Sequence, residues 1–144
     1  MKVYRGATPA IRRQAGLTLV ELMVVITILA IVAAIAYPSY QEHIRKGRRA
    51  ATQAFLVEAA SRQQQYLLDA RSYAVGAGAL AALNLTVPAD VSPFYTVTVE
   101  PAAPTVPPTY QFIATPIAGS VQAPDGALVL AHDGTRSHNG KPGW

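Results

Sequence analysis

Leu17 to Tyr37 reads LTLVELMVVITILAIVAAIAY, 21 residues that carry one charge, Glu21, and two threonines. At 1.5 Å of rise per helical residue the stretch reaches roughly 30 Å, the thickness of a bilayer's hydrocarbon core. A helix in a soluble core keeps a polar face, whereas Leu22 to Ala36 is apolar apart from Thr27. The stretch therefore reads as a transmembrane helix rather than a buried globular one. Ahead of it lies MKVYRGATPAIRRQAG, with Lys2, Arg5, Arg12 and Arg13 and no acidic residue. No small-residue cleavage site of the A-x-A kind follows the apolar run, so ordinary signal-peptide removal is not expected. Arg45, Lys46, Arg48 and Arg49 follow the other end, four cations against four, and charge counting alone leaves the topology open.

Glu21 is costly in that setting. A carboxylate at the centre of a membrane helix costs about 2.5–3.5 kcal/mol on insertion scales, and less near an end. Either it sits close enough to the interface to stay wet or protonated, or it finds a cationic partner.

Beyond the span comes Pro38, which removes a backbone donor and disfavours the helical conformation of Tyr37, so a kink or local opening is expected there. Helical periodicity resumes at once in QEHIRKGRRAATQAFLVEAASRQQQYLLDA. Ile44, Ala51, Phe55, Ala59 and Tyr66 fall near one stripe with Leu56, Ala60 and Leu67, while Arg45, Arg48, Arg49, Glu58, Arg62 and Gln63 lie largely outside it. The amphipathic continuation should end near Arg71 or Ser72. Gly47, costing about 1 kcal/mol relative to alanine, is a second weak point in the helix. The basic run Arg45–Arg49 invites a nucleic-acid reading, but without interleaved aromatics it reads better as a solvated or subunit-facing helix surface.

After Tyr73 the chain turns small and Ala/Gly-rich, a loop with a short helical turn at Leu80–Leu83. Phe94 to Glu100, FYTVTVE, alternates Tyr95, Val97 and Val99 with Thr96 and Thr98, a strand pattern. PAAPTVPP, with Pro101, Pro104, Pro107 and Pro108, reads as a stiff extended linker. YQFIAT (Tyr110–Thr115) and ALVLA (Ala127–Ala131) are further strands, with turns at Asp125-Gly126 and Asp133-Gly134. One long N-terminal helix and a small antiparallel sheet make an α+β chain.

Little in the sequence points to catalysis. The chain has no cysteine, which excludes a disulfide scaffold, a thiolate metal site and a cysteine nucleophile. His43, His132 and His138 are scattered, with no H-E-x-x-H, no phosphate-cradling loop and no nucleophile elbow. No enzymatic activity, metal or other cofactor is expected.

Ala15-Gly16-Leu17-Thr18-Leu19-Val20-Glu21-Leu22, with a short basic leader before it and an unbroken apolar helix after it, resembles the class III signal of type IV pilins. The later order of loop, YTVTV strand, YQFIATP strand, D-G-ALVLAHDGTRS and terminal tryptophan resembles the minor-pilin branch related to DNA-uptake competence pilins. The resemblance implies a pilin fold divided into a cleaved leader (1–16), a transmembrane and filament-core helix (17–37), its amphipathic continuation (38–72) and a loop-plus-sheet head (73–144). It implies cleavage by a prepilin peptidase between Gly16 and Leu17 and N-methylation of Leu17, where many members have Phe. It gives Glu21, with Thr18, a role in assembly: the carboxylate pairs with the α-amino group of Leu17 on the same or a neighbouring subunit. It also makes the helix around Pro38 and Gly47 a segment that unwinds in the fibre. Many members close their C-terminal region with a disulfide. The corresponding places here are Asp125-Gly126 and Gly143-Trp144, so packing must hold that region, with Trp144 against the sheet and Thr135–Trp144 the loosest ordered part.

The implied function is a structural, minor subunit of a type IV pilus. Its partners would be prepilin peptidase, other pilin subunits, the inner-membrane assembly machinery, and the membrane it crosses once before entering the extracellular fibre. A DNA-binding competence pilin is the alternative, with Arg136 and Lys141, the only basic residues beyond Arg71, as weak DNA contacts. A type II secretion pseudopilin, or an anchored domain that never polymerises, shares the leader and helix. Cleavage would also change the charge. The whole chain holds 12 basic and 8 acidic residues and has a pI near 9.6, but four of the basic residues lie in the leader, so residues 17–144 balance at eight against eight.

Overall fold

The computed structural model describes residues 16, 18–101 and 108–144. The leader up to residue 15, Leu17, and most of the proline-rich linker lie outside the described residues. The architecture is α+β: helix α1 (Leu19–Ala70), a one-turn helix α2 (Ala79–Ala82), and strands β1 (Tyr95–Glu100), β2 (Gln111–Pro116), β3 (Leu128–Ala131), β4 (Arg136–His138) and β5 (Lys141–Pro142), with a 3₁₀ turn at Ala123–Asp125. The chain divides into two compact units, Met1–Ser39 and Tyr40–Trp144, and α1 contributes to both.

In the first unit every described side chain from Thr18 to Ser39 is exposed. Its Leu, Ile, Val and Met side chains stand on all sides of the helix, so the described residues of this unit form no core of their own. Pro38 lies inside α1, and because it has no N–H the carbonyl four residues earlier, on Ala34, receives no bond from it.

The second unit has an ordinary core. Its sheet is antiparallel throughout, in the order β1-β2-β3-β4-β5. β1 alternates buried and exposed along its whole length, so Tyr95, Val97 and Val99 point inward as the period-two pattern requires. Phe112 and Ala114 of β2 and Leu128 and Leu130 of β3 extend that face, and Phe55, Leu56 and Ala59 of α1 join them in one buried cluster. Two polar residues of α1 are buried with them, Thr52 and Gln63. The Thr52 hydroxyl is satisfied by the Arg48 carbonyl at 2.9 Å.

Gln63 corrects the sequence expectation, which placed it outside the apolar stripe. Its amide donates to the Ala74 carbonyl at 2.6 Å and accepts from the Ala74 N–H at 3.0 Å. A side chain thus pairs with a loop residue as a neighbouring strand would, fastening the segment after α1 back onto the helix.

The other departure is at the C-terminus, where β4 and β5 extend the sheet instead of forming a loose tail. Ser137 pairs with Val129 and with Pro142, and His138 pairs with Leu128 and with Lys141. Asn139 and Gly140, both at positive φ, make the tight turn between them. The Trp144 indole donates to the Val129 carbonyl at 3.2 Å and packs on the core cluster.

Candidate functional site

The start of α1 is defined by Thr18. Its hydroxyl accepts from the Glu21 N–H at 3.1 Å and its carbonyl accepts from the Leu22 N–H at 3.1 Å, the pattern of an N-cap residue. Thr18-Leu19-Val20-Glu21 also has the T-x-x-E spacing of a capping box, a local sequence cue for this helix start. Gly16 is exposed and outside the helix, and Glu21 stands in the first turn. Thr27 directs its hydroxyl to the Met23 carbonyl at 2.8 Å, which lets an uncharged polar side chain sit in the apolar run at little cost. The remaining expected residue of this segment, Leu17, falls outside the described residues. Pro38 and Gly47 lie within α1, and a Cβ at Gly47 would meet nothing within 4 Å.

The basic run is not the open cationic surface that its sequence suggests. Arg45 is paired with Glu42, and Lys46 lies 3.9 Å from the same carboxylate. The Arg48 guanidinium lies 3.7 Å from the centroid of the Phe94 ring, an attractive placement for a cation over an aromatic face. Arg49 reaches across to Asp125, its Nε 3.0 and 2.9 Å from the two carboxylate oxygens and its Nη2 closing a second bond. Two of the four cations are therefore folded into the second unit's own structure.

Asp125 is the centre of a buried polar network, with its side chain only 3% exposed. Besides Arg49 it accepts from the Tyr95 hydroxyl at 2.6 Å, and that hydroxyl accepts from the Gln122 amide at 3.0 Å. Gln122 also donates to the Arg45 carbonyl at 3.2 Å, and the His138 ring contacts the Asp125 carbonyl at 2.6 Å. Burial by itself would raise the carboxyl's pKa, but hydrogen bonds from Arg49 and Tyr95 and the Arg49 charge outweigh it and hold Asp125 below the usual carboxylate value. Burial and the adjacent Asp125 push the Tyr95 hydroxyl well above its ordinary value. Gly126 follows with φ 82° and ψ 169°, a conformation essentially reserved for glycine, and a Cβ there would fall 2.5 Å from the Asn139 side chain. Helix, loop, β1 and β4 are thus tied at one point, next to the place where the resemblance implied a disulfide.

Arg136 and Lys141 come together on β4 and β5. Lys141 is directly opposite His138, so it shares a face with Arg136, two residues away on β4. Both are exposed, and the Arg136 guanidinium stands 4.8 Å from the Trp144 ring centroid. His132 is exposed beside the Asp133 turn, where Asp133 accepts from the Thr135 N–H at 2.8 Å. Among the described residues, no three His, Asp or Glu side chains are grouped to hold a metal ion.

Comparison with known proteins bears directly on these two units. Residues 38–126 match the family described as type IV minor pilin ComP, DNA uptake sequence receptor, and residues 11–37 match the prokaryotic N-terminal methylation motif. The chain belongs to the type IV minor pilin ComP family. The expected kinship with type IV pilins and their competence branch is thereby borne out. Among relatives, the type IV wide pilus major component PilA4 of Thermus thermophilus is 35% identical over 82 residues, 56% of this chain and 63% of that protein. Fimbrial protein EcpB of Eikenella corrodens is 56% identical over 36 residues, and prepilin peptidase-dependent protein D of Escherichia coli 59% identical over 34. Those two matches each cover about a quarter of this chain and 23% of the relative. The alignments thus span less than two thirds of each relative's length.

Proposed function

We propose that this pilin is made as a membrane-inserted precursor, cut after Gly16, methylated on Leu17, and built as a minor subunit into a type IV filament through the first unit of α1. The observation that carries the reading is the exposure of every described side chain from Thr18 to Ser39, a segment that the methylation-motif match covers as far as residue 37. Burying a single Leu, Ile or Val yields about 1.5–3 kcal/mol, so a helix studded with them on all sides requires lipid first and neighbouring helices afterwards. In the filament Glu21 pairs with a Leu17 amino terminus, which favours correctly registered neighbours because any other arrangement leaves a carboxylate unpaired in a low-dielectric core. Prepilin peptidase and the inner-membrane assembly machinery are the partners this route requires. The test is the intact mass and N-terminal sequence of the protein recovered from sheared surface filaments, which should begin at methylated Leu17. Glu21→Val should still insert into membranes and be absent from filaments; normal amounts of it there would overturn the docking role.

A second reading, DNA capture by the displayed head, is favoured by the family match over 38–126. Arg136 and Lys141 on one face of the β4–β5 hairpin, with Trp144 beside Arg136, offer two phosphate contacts and a ring for stacking. A gel shift with the full chain in detergent should weaken steeply with salt, and replacing both cations by alanine should reduce the slope of log K against log salt by about 2.

A further inference from the structure

We infer that, while the subunit waits in the membrane, its second unit rests on the lipid headgroups through a rim formed by Tyr40, Lys46, Ile117 and Val121. The inference rests on the proposed insertion of the first unit and assigns a surface of the second to the same bilayer.

The rim is located by hydrogen bonds within the second unit. Gln122 donates to the Arg45 carbonyl, Asp125 receives Arg49, Phe94 lies beneath Arg48, and the Ile117 N–H donates to the Phe94 carbonyl at 2.9 Å. The loop after β2 is therefore gathered around the first turns of this unit's helix, the end at which the chain arrives from the span. The Asp133 turn is at the other end: His132 and Gly134 line a groove with Ser61 and Gln64. Ser61 lies 16 residues beyond Arg45, about 24 Å along the helix.

Its chemistry matches an interfacial layer. Tyr40 is 63% exposed, Val121 53% and Ile117 37%, and the loop that carries Ile117 and Val121, Pro116 to Gln122, holds no charged residue. Tyrosine is enriched where hydrocarbon meets headgroups, and isolated Ile and Val side chains gain there what they forgo in water. Charge around the rim is close to balanced. Glu42 is shared by Arg45 and Lys46, the exposed Lys46 ammonium reaches outward, and Asp90 is exposed on the loop before β1. That mixture suits lipid headgroups better than a polyanion.

Chain continuity selects the membrane as the occupant. Tyr40 follows the end of the span at Tyr37 by three residues, and Arg45 follows it by eight. With so short a connection, a headgroup layer roughly 5–7 Å deep is the surface that the start of the second unit meets first.

Because the chain has no cysteine, single cysteines can be placed and labelled cleanly. The full chain, reconstituted in phosphatidylcholine–phosphatidylglycerol vesicles, is labelled with an environment-sensitive fluorophore at Ile117→Cys, Val121→Cys, Thr135→Cys or Ala30→Cys. Lipids bearing a nitroxide in the headgroup should quench labels at 117 and 121 at least two-fold more than the label at 135. Lipids with a deep acyl nitroxide should quench the label at 30. Equal quenching at 117, 121 and 135, with residue 30 quenched, would overturn the headgroup contact and leave the insertion reading standing. An unquenched residue 30 would overturn the insertion reading, and this surface with it. Shielding of 117 and 121 in assembled filaments but not in vesicles would give the rim to a neighbouring subunit and overturn the lipid assignment.

Discussion

From Leu19 to Ser39, α1 buries no side chain, whereas between Thr52 and Gln63 the same helix buries five, against a sheet and a loop. The first stretch is apolar all round and nearly free of hydrogen-bonding side chains; the second is amphipathic, and each polar group it buries has a specific partner. In the first, Glu21 is the one acidic or basic side chain, standing a few residues from a chain start that processing would create. In the second, Arg49 and Asp125 are joined within the same subunit, 76 residues apart. On the proposed route the first stretch would find its apolar and polar partners in the bilayer and the filament, whereas the second buries its core and pairs Arg49 with Asp125 within one subunit. A stretch that buries its own apolar side chains can stand in water, whereas one that exposes them on every side requires apolar surroundings.

The largest expected effect tests whether the second unit depends on its own network. Asp125→Ala leaves the Arg49 charge and the Tyr95 hydroxyl without their partner, and breaking one side of a buried pair costs about 3–5 kcal/mol. Arg49 keeps a quarter of its side chain in water, so the low end applies. A loss of about 3 kcal/mol corresponds to a fall in Tm of roughly 10–20 °C for a unit of this size. Circular dichroism of the full chain in detergent should show that fall while the helicity of the first unit persists. Melting of both together would break the comparison.

Acid probes the same group. Because the Asp125 pKa is lowered in the fold, its contribution is complete at neutral pH, declines once pH drops below the ordinary value near 3.8, and is gone when pH passes the lowered value. Tyr95 acts at the other limb. Its raised pKa means that stability declines as pH rises beyond the ordinary value of 10.0 and is lost on passing the value in the fold. Melting curves of wild type and Asp125→Ala should therefore draw together at low pH; a constant gap down to pH 2 would remove Asp125 as the cause.

Next in size is Gln63→Leu. It removes both bonds to Ala74 and leaves that residue's N–H and carbonyl unpaired in a buried place, at about 1–3 kcal/mol. Hydrogen exchange should accelerate at the Ala74 amide with little change in the first unit. Unchanged exchange there would mean that the loop is held by Ala79 and Leu83 packing alone.

How far these features were legible in the sequence depends on their range. The span announces itself by composition, and β1 by an alternation that burial reproduces residue for residue. Gln63 is polar and so reads as exposed, yet its amide matches the two backbone groups of a loop residue and is buried with them. The Arg49–Asp125 pair joins positions that no local pattern connects. β4 and β5 are three and two residues long, RSH and KP, too short and too polar for any periodicity. Asn139-Gly140 is a strong hairpin signal, but it lacks the alternating apolar flanks that mark strands on either side. The T-x-x-E box at Thr18 was also readable, and was overshadowed by the assembly role that the resemblance gives the same residues.

Trp144→Ala is a smaller perturbation. It removes the indole's bond to the Val129 carbonyl and the ring beside Arg136, and about 1–2 kcal/mol should be lost from the second unit. An unchanged melt would mean that β5 is held by its backbone bonds alone, without the ring.

The smallest effect belongs to the first unit and is the sharpest test of its independence. Thr18→Ala deletes the one side-chain cap at the start of α1, a change worth about 1 kcal/mol in helix stability. Because the described residues of the first unit form no core, the loss should be confined to the first turn. Amide exchange in detergent should quicken about five-fold at Glu21, whose N–H loses its acceptor, and fade toward Thr27, while the Tm of the second unit stays where it was. Thr18→Ser, which keeps the hydroxyl, should restore slow exchange. A fall in Tm instead would mean that strain at the membrane end of α1 is felt by the sheet, and the two units would have to be treated as one cooperative body.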